Sequence, residues 1–425
     1  MPKLVHVIGA GLAGLAAAVQ LQRRGAQVVL HEAAGQAGGR CRSWYDRTLG
    51  ATIDSGNHLV MSGHHATLNY LRAIGAADEL VGPPQSEYPF MDLATRARWT
   101  VRLSPGRLPW WIFDAAARVP NTYPGDYLTI APLLFAKPGR TIAQTMRCDG
   151  VLWDRLLRPL FRVMLNHEPR AASAELAAAV VRETLVAGGH ACRPLLPRNG
   201  LGSAFVDPAL RLLQHGGATI RLGSQLKDVV FTESRRVGAL VFAEGVDKQR
   251  VELDDNAAVV LAVPPDVAQP LVIGLPVPRH YSATISVHFA VERPFGVPPQ
   301  MALLNGTAEW LFAFDGRLSV TISGANRLLD TPREELAKTI WAEVARAASL
   351  PVEPMPAWQI VSEPRATFAA LPGDEMRRPG SRTRWKNLTI AGDWTATGLP
   401  ATIEGAIRSG QTAADLLLNE PMEYR

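Results

Sequence analysis

The first forty residues restrict the fold more than any other part of the chain. An apolar run, Leu4-Val5-His6-Val7-Ile8, leads into Gly9-Ala10-Gly11-Leu12-Ala13-Gly14. A small-residue stretch from Leu15 to Arg24 follows, then a second apolar run, Gln27–His31, ending on Glu32. Three glycines at this spacing are common, but a strand before them, a helix after them and an acid closing the next strand are not. In that setting Gly9 permits a tight turn. Gly11 lets a pyrophosphate approach the backbone N–H groups of Leu12 and Ala13 at a helix N-terminus, and Gly14 lets helix and strand pack closely. Glu32 can accept hydrogen bonds from ribose hydroxyls, with Ala33 beside it, while its charge repels a 2′-phosphate. The N-terminus is therefore expected to bind a dinucleotide.

The rest of the chain divides around that turn. Segments 1–89, 200–265 and 385–425 are expected to form one discontinuous Rossmann-like domain of α/β class, with 90–199 and 266–384 as an inserted α+β substrate domain. In the middle segment, Pro208–Gln214 looks helical, Thr219–Leu222 reads as a strand, and Ala258–Val263 is a continuous apolar run suited to a buried parallel strand. A strand at Leu388–Ala391 and a helix from Ile403 to Leu418 close the chain. In the insertions the clearest helices are Ser173–Ala187, with Ser173 as N-cap, and Arg333–Ala348 after Thr331-Pro332. Strand patterns lie at Tyr281–Val291 and Leu318–Ser323.

Hydrophobic residues make up 47% of the 425 residues and charged residues 20%, a globular balance. Three cysteines (Cys41, Cys148, Cys192) form no C-x-x-C pair and supply neither a disulfide framework nor a metal site. No leader is evident and no apolar run is long enough to span a bilayer; Leu128–Ala136 comes nearest but is short and contains Pro132. The expectation is a cytoplasmic protein. Between Arg96 and Arg170, twelve Arg or Lys face five Asp or Glu, and four of the ten tryptophans (Trp99, Trp110, Trp111, Trp153) lie in the same stretch. Cations interleaved with indoles suit a lipid headgroup surface; the alternative is a solvated face with tryptophans in the core. No recognition module accompanies the charge, so nucleic acid is not expected as a partner.

Gly38-Gly39-Arg40 comes shortly after Glu32. Glycines there allow backbone contact with a ligand, and Arg40 can reach phosphate or flavin. Near the C-terminus, Ala391-Gly392-Asp393 precedes Leu399-Pro400-Ala401-Thr402-Ile403-Glu404-Gly405-Ala406. With Asp54-Ser55-Gly56-Asn57-His58, these segments resemble the flavin amine oxidase and carotenoid desaturase superfamily, which implies FAD as cofactor. By that resemblance Gly39 and Arg40 line the cofactor and Leu226 lies beside adenine. Gly392 and Asp393 hold the ribityl or pyrophosphate end, and Ala401, Thr402 and Ile403 face the flavin ring. A helix starting there places partial positive charge against a reduced, anionic flavin. Asp54 reads equally as a turn residue, and Glu404 as a dipole-compensating residue in a first turn.

The insertion narrows the resemblance. Trp153, Pro159-Leu160, Leu165-Asn166, Ala171-Ala172-Ser173 and Pro197-x-x-Gly200-Leu201 resemble the squalene-associated FAD-dependent desaturases, better described as hydroxysqualene dehydroxylases of hopanoid biosynthesis; His167 departs from their pattern. Amine oxidation is disfavoured, because Ser286 stands where amine oxidases of the superfamily carry a flavin-facing lysine. Phytoene-type desaturation is the runner-up, and a flavin-bound lipid carrier the non-enzymatic alternative. The implied reaction is reductive loss of an allylic hydroxyl from a hydrophobic triterpenoid, with hydride from reduced flavin. Hydroxide leaves poorly, so a proton donor is needed; His58 is the first candidate, with Asn166 and His167 after it. No second G-x-G-x-x-G marks a nicotinamide domain, leaving NADPH, a reductase or a quinol as electron donor. Such a substrate implies peripheral contact with the inner face of the cytoplasmic membrane.

Overall fold

A computed structural model describes residues 2–244 and 247–419. Its first layer is a five-stranded parallel sheet whose strands come from distant parts of the chain: Thr219–Leu222, Gln27–Glu32, Leu4–Ile8, Ala257–Leu261 and Leu388–Ile390, in that spatial order. Parallel strands need covered faces, which explains the continuous apolar runs. The helix Leu12–Arg23 buries an almost unbroken set of small and aliphatic side chains against this sheet, and Gly25, at φ +89°, ends it. Helix Ile403–Asn419 crosses the first helix closely: a Cβ on Gly410 would sit 2.1 Å from the Ala13 carbonyl oxygen. The small residues of the closing helix thus serve backbone-to-backbone contact.

The second layer is a seven-stranded mixed sheet. Tyr281–Ala290 lies between Trp358–Phe368 and Arg317–Ser323, and the sheet continues through Trp310–Phe314, Gln300–Leu304, Glu87–Asp92 and Arg98–Arg102. Glu87–Asp92 straddles the boundary expected at residue 89: it has no period-2 alternation to mark it as a strand, and its pairing with Gln300–Leu304 and Arg98–Arg102 assigns it to this sheet. One face buries Ile285, Val287, Phe289, Val320 and Ile322 against Leu336, Ile340, Trp341 and Val344 of the helix Arg333–Ala348. The other carries Ser286, His288, Ser319 and Thr321, all buried although polar. Polar groups survive out of water only when something pairs with them, so this face is the part of the fold that calls for a ligand.

The helical insertion roofs that region. Ser173 caps the helix Ala174–Glu183, its Oγ accepting from Leu176 N at 3.4 Å. Three of the four clustered tryptophans (Trp99, Trp111, Trp153) are buried in the apolar core, and only Trp110 is exposed. Interleaved cations alone do not reveal which indoles point outward. All three cysteines are free and buried.

Candidate active site

The nucleotide turn has the sterics its glycines imply. Gly9 has φ +101°, and a Cβ on Gly14 would lie 1.8 Å from the Gly9 carbonyl oxygen. Gly11, by contrast, borders open space, with nothing within 4 Å of where its Cβ would be. The helix it opens has neither a side-chain cap nor an acid in its first turn. Its leading N–H groups, those of Leu12 and Ala13, are left for an anion. Glu32 is positioned by its own carboxylate, which accepts from Ala10 N at 2.8 Å and Ala34 N at 2.9 Å; its remaining lone pairs can still take ribose hydroxyls. Ala33 follows in an exposed bend. Leu226 is buried opposite Phe242, whose ring stacks on His31 at 4.2 Å, the residue before Glu32. These residues gather at one end of the parallel strands, and their cradle of glycine backbone and unpaired N–H groups fits a dinucleotide.

The two chain ends meet at the other half of the site. Arg40 Nη2 donates to Asp393 Oδ1 at 2.7 Å. Proximity to Asp393 raises the guanidinium's pKa further. Gly39, at φ +54°, faces Gly11, with 3.4 Å between its would-be Cβ and the Gly11 Cα. Gly392 N–H donates to Ser409 Oγ at 2.8 Å, tying the turn to the closing helix. Thr402 Oγ1 accepts from Gly405 N at 3.0 Å as an N-cap, so Ala401, Thr402 and Ile403 form that helix's leading edge. Glu404 is fully buried and accepts from Ala66 N, Thr67 N and Thr67 Oγ1, while Arg408 pairs with it. It caps the helix His65–Ala73 rather than compensating only its own dipole. Asp54 is likewise structural: it accepts from Leu201 N at 2.9 Å and from Ser43 Oγ. Burial raises its pKa.

Of the two proposed catalytic residues, His58 lies at the site and Asn166 has a different task. Desolvation, then the Arg40 charge, lowers the His58 pKa to about 4. At neutral pH it is an uncharged imidazole that can donate a hydrogen bond from N–H but holds no spare proton. Asn166 adopts φ +48° at the end of helix Arg158–Leu165. Its Oδ1 accepts from Gly324 N at 2.7 Å and Thr284 Oγ1 at 3.3 Å, and its Nδ2 donates to Thr367 Oγ1 at 3.0 Å and Ser282 O at 3.4 Å. All four of its hydrogen-bonding positions are spent on the protein. His167 is tied to Ser282 Oγ at 3.0 Å, and burial lowers its pKa.

Sequence reasoning gave no role to His288, Asn57 or a polar Ser286, which lie on or against the polar sheet face. Ser286 Oγ, Asn57 Oδ1 and His288 Nε2 are buried polar atoms with no hydrogen-bond partner among the described residues. Asn57 Nδ2 donates to Thr321 Oγ1 at 3.1 Å, and Thr321 is the cross-strand neighbour of Ser286. A Cβ on Gly56 would lie 3.6 Å from His58 Nε2 and 3.9 Å from Ser286 Oγ, so the two side chains converge there. Farther along, His288 Nδ1 meets Ser319 Oγ at 2.7 Å and Arg317 Nη1 at 2.9 Å. Burial and Arg317 lower the His288 pKa to about 3. Period-2 alternation of Ser286 and His288 with Ile285, Val287 and Phe289 was visible in sequence; that the polar side is also buried was not.

A parallel dinucleotide sheet joined to a mixed sheet, with the cofactor cradle between chain ends, defines an FAD-dependent oxidoreductase, and residues 12–418 match the family model described as flavin containing amine oxidoreductase. The chain is 52% identical over 98% of its length to a hydroxysqualene dehydroxylase of Rhodopseudomonas palustris and 51% identical over 99% to one of Sinorhizobium fredii, covering 99% of each. It belongs to the hydroxysqualene dehydroxylase family. A 15-cis-phytoene desaturase of Glycine max is far more distant, at 22% identity over 99% of this chain and 80% of that one. An oxidoreductase from Methanosarcina mazei shares the fold, with a TM-score of 0.72 at 15% identity over 97% of this chain and all of that one. Among the described residues, no helix is long and apolar enough to cross a membrane.

Proposed function

We propose that this protein removes the allylic hydroxyl of hydroxysqualene to give squalene and water. The observation that carries this reading is the full-length identity to dehydroxylases, above 50%. The C–O bond breaks and a C–H bond forms; the substrate is reduced by a hydride, and the leaving oxygen takes a proton drawn from solvent, so that substrate, hydride and proton together give squalene and water. FAD, when bound and reduced, supplies the hydride. The chain's own residues do the rest. Ala401, Thr402 and Ile403, at the N-terminus of helix Ile403–Asn419, would hold the flavin, and the helix dipole there would favour negative charge on it. Ser286 Oγ–H donates a hydrogen bond to the departing oxygen, and Asn57 Oδ1, anchored through Thr321, accepts from the substrate hydroxyl. His58 stays neutral and adds an N–H donor without repelling an incipient allyl cation. The aromatic residues of the large apolar cluster, among them Trp310, Phe312 and Trp394, exclude water from that cation.

The test is anaerobic. Flavin-loaded protein is reduced chemically, mixed with hydroxysqualene, and followed by flavin absorbance and by mass spectrometry of squalene. Flavin reoxidation matched by squalene formation is expected. Reduced protein that ignores hydroxysqualene, or oxidised protein that desaturates phytoene, would overturn the reading. Ser286→Ala should slow reoxidation about 100-fold, since one hydrogen bond aimed at a developing charge is worth ~2.7 kcal/mol. We further propose that the protein works as a peripheral membrane protein, where its substrate dissolves.

A further inference from the structure

The stretch Arg107–Arg140 holds an unusual share of the protein's exposed apolar surface. Leu108, Trp110, Phe113, Tyr123, Leu128 and Phe135 are each 62–83% exposed. Four of these are aromatic, and only Tyr45 and Phe295 among the other described residues are large exposed aromatics. These side chains lie on consecutive short turns between Arg107 and Arg140. The turns Trp110–Phe113 and Pro124–Ile130 pack together through Trp111, edge-on to Tyr127 at 5.1 Å, while the Trp110 and Phe113 rings lie 6.2 Å apart. Exposed Arg107 precedes the run, and exposed Lys137 and Arg140 follow it. Its only acids, Asp114 and Asp126, accept from backbone N–H groups of Ala116 and Tyr123. Beneath the patch, Trp111, Tyr127 and Leu133 belong to the same apolar cluster as Trp310, Phe312 and Trp394 beside the active site.

Aromatic and aliphatic side chains on short turns, bracketed by exposed cations, are complementary to a bilayer with anionic headgroups: rings enter the interface and cations stay at the phosphates. We propose that this face docks the protein on an anionic lipid surface, with Trp110, Phe113, Leu128 and Phe135 inserted and Arg107, Lys137 and Arg140 at headgroup level. The proposal rests on the isoprenoid-substrate reading only for why a membrane is needed.

The experiment therefore uses no substrate. Flavin-loaded full-length protein is floated with phosphatidylcholine vesicles, with and without phosphatidylglycerol, at low and high salt. Binding should require phosphatidylglycerol and weaken with salt. Lys137→Ala with Arg140→Ala should weaken it about 25-fold, some fivefold per cation at ~1 kcal/mol each. Phe113→Ser with Phe135→Ser should abolish flotation while leaving the flavin spectrum and thermal melt unchanged. Brominated acyl chains should quench a fluorescence component that Trp110→Phe removes. No flotation by the native protein, flotation undiminished in Phe113→Ser/Phe135→Ser, or concentration-dependent dimerisation lost in that variant would overturn the proposal, the last by assigning the face to a second copy of the chain.

Discussion

Replacing Asn166, which ends the helix Arg158–Leu165, with alanine separates a structural from a catalytic role for this residue. The substitution removes four hydrogen bonds and orphans two groups that are hard to satisfy otherwise, the Gly324 N–H and the Thr284 hydroxyl. One unsatisfied buried donor costs ~1–3 kcal/mol. Alanine must also hold φ +48°, which favours Asn or Gly over other residues by ~1 kcal/mol. Together these give a loss of ~3–4 kcal/mol. For a chain of 425 residues the unfolding entropy of ~2.1 cal/mol/K per residue spreads that over a Tm shift of only about 4 °C. Differential scanning fluorimetry of the flavin-loaded protein reads it. Asn166→Gly, which removes the backbone strain but not the lost bonds, should recover about a quarter of the loss. Turnover per bound flavin should fall less than fivefold in both. An unchanged melt with hydride transfer slowed 100-fold or more would refute the structural assignment and return Asn166 to the chemistry.

Three other outcomes follow from the same geometry. His6 and His31 are buried, Nδ1 to Nε2 at 3.1 Å, with pKa values lowered to about 4 and about 3, by burial first. The unfolded chain takes up protons near pH 6.5 that the fold refuses, so stability is complete above that pH and falls towards pH 4 by up to ~1.4 kcal/mol per pH unit for each ring; urea midpoints at pH 7 and 5 should show a slope that His31→Gln flattens. Asp393→Asn removes the charge paired with Arg40 and should weaken FAD retention about tenfold, measured as free flavin after gel filtration, with the melt of the apoprotein unmoved. Gly14→Ala puts a methyl against the Gly9 carbonyl and should yield protein without flavin, whereas Gly11→Ala, bordering open space, should fold normally and lose only affinity.

Legibility in the sequence follows the range of the forces involved. The glycine turn, Glu32 and the capped helices were readable because their steric and hydrogen-bond requirements lie within a few residues of one another. Ser173 needs only Leu176 N, and Gly14 needs only Gly9. The structural ties of Asn166 are not legible locally, because its partners at Ser282, Thr284, Gly324 and Thr367 come from three other segments. Nothing near Leu165 shows that all its lone pairs and protons are committed. His58 was placed at the site by motif position, but its depressed pKa depends on packing and on Arg40, neither of which has a local signature.

The polar sheet face carries this one step further. Ser286 was noticed only as the residue standing where a lysine would be, a negative argument about what the protein does not do. In the fold it becomes a positive one. A strand alternating apolar and polar residues ordinarily turns its polar side to water; here both sides are buried, and Ser286, Asn57 and His288 retain atoms that no described residue satisfies. Leaving several such groups unpaired would cost several kcal/mol, too much for a fold of ordinary stability unless a ligand or water meets them. An amine substrate would bring donors to a site that already has Ser286 and His58 as donors. A hydroxyl, which donates once and accepts twice, matches Asn57 Oδ1 on one side and Ser286 Oγ–H on the other. The leaving group of the proposed reaction thus carries both the donor that Asn57 Oδ1 lacks and the acceptor that Ser286 Oγ–H lacks.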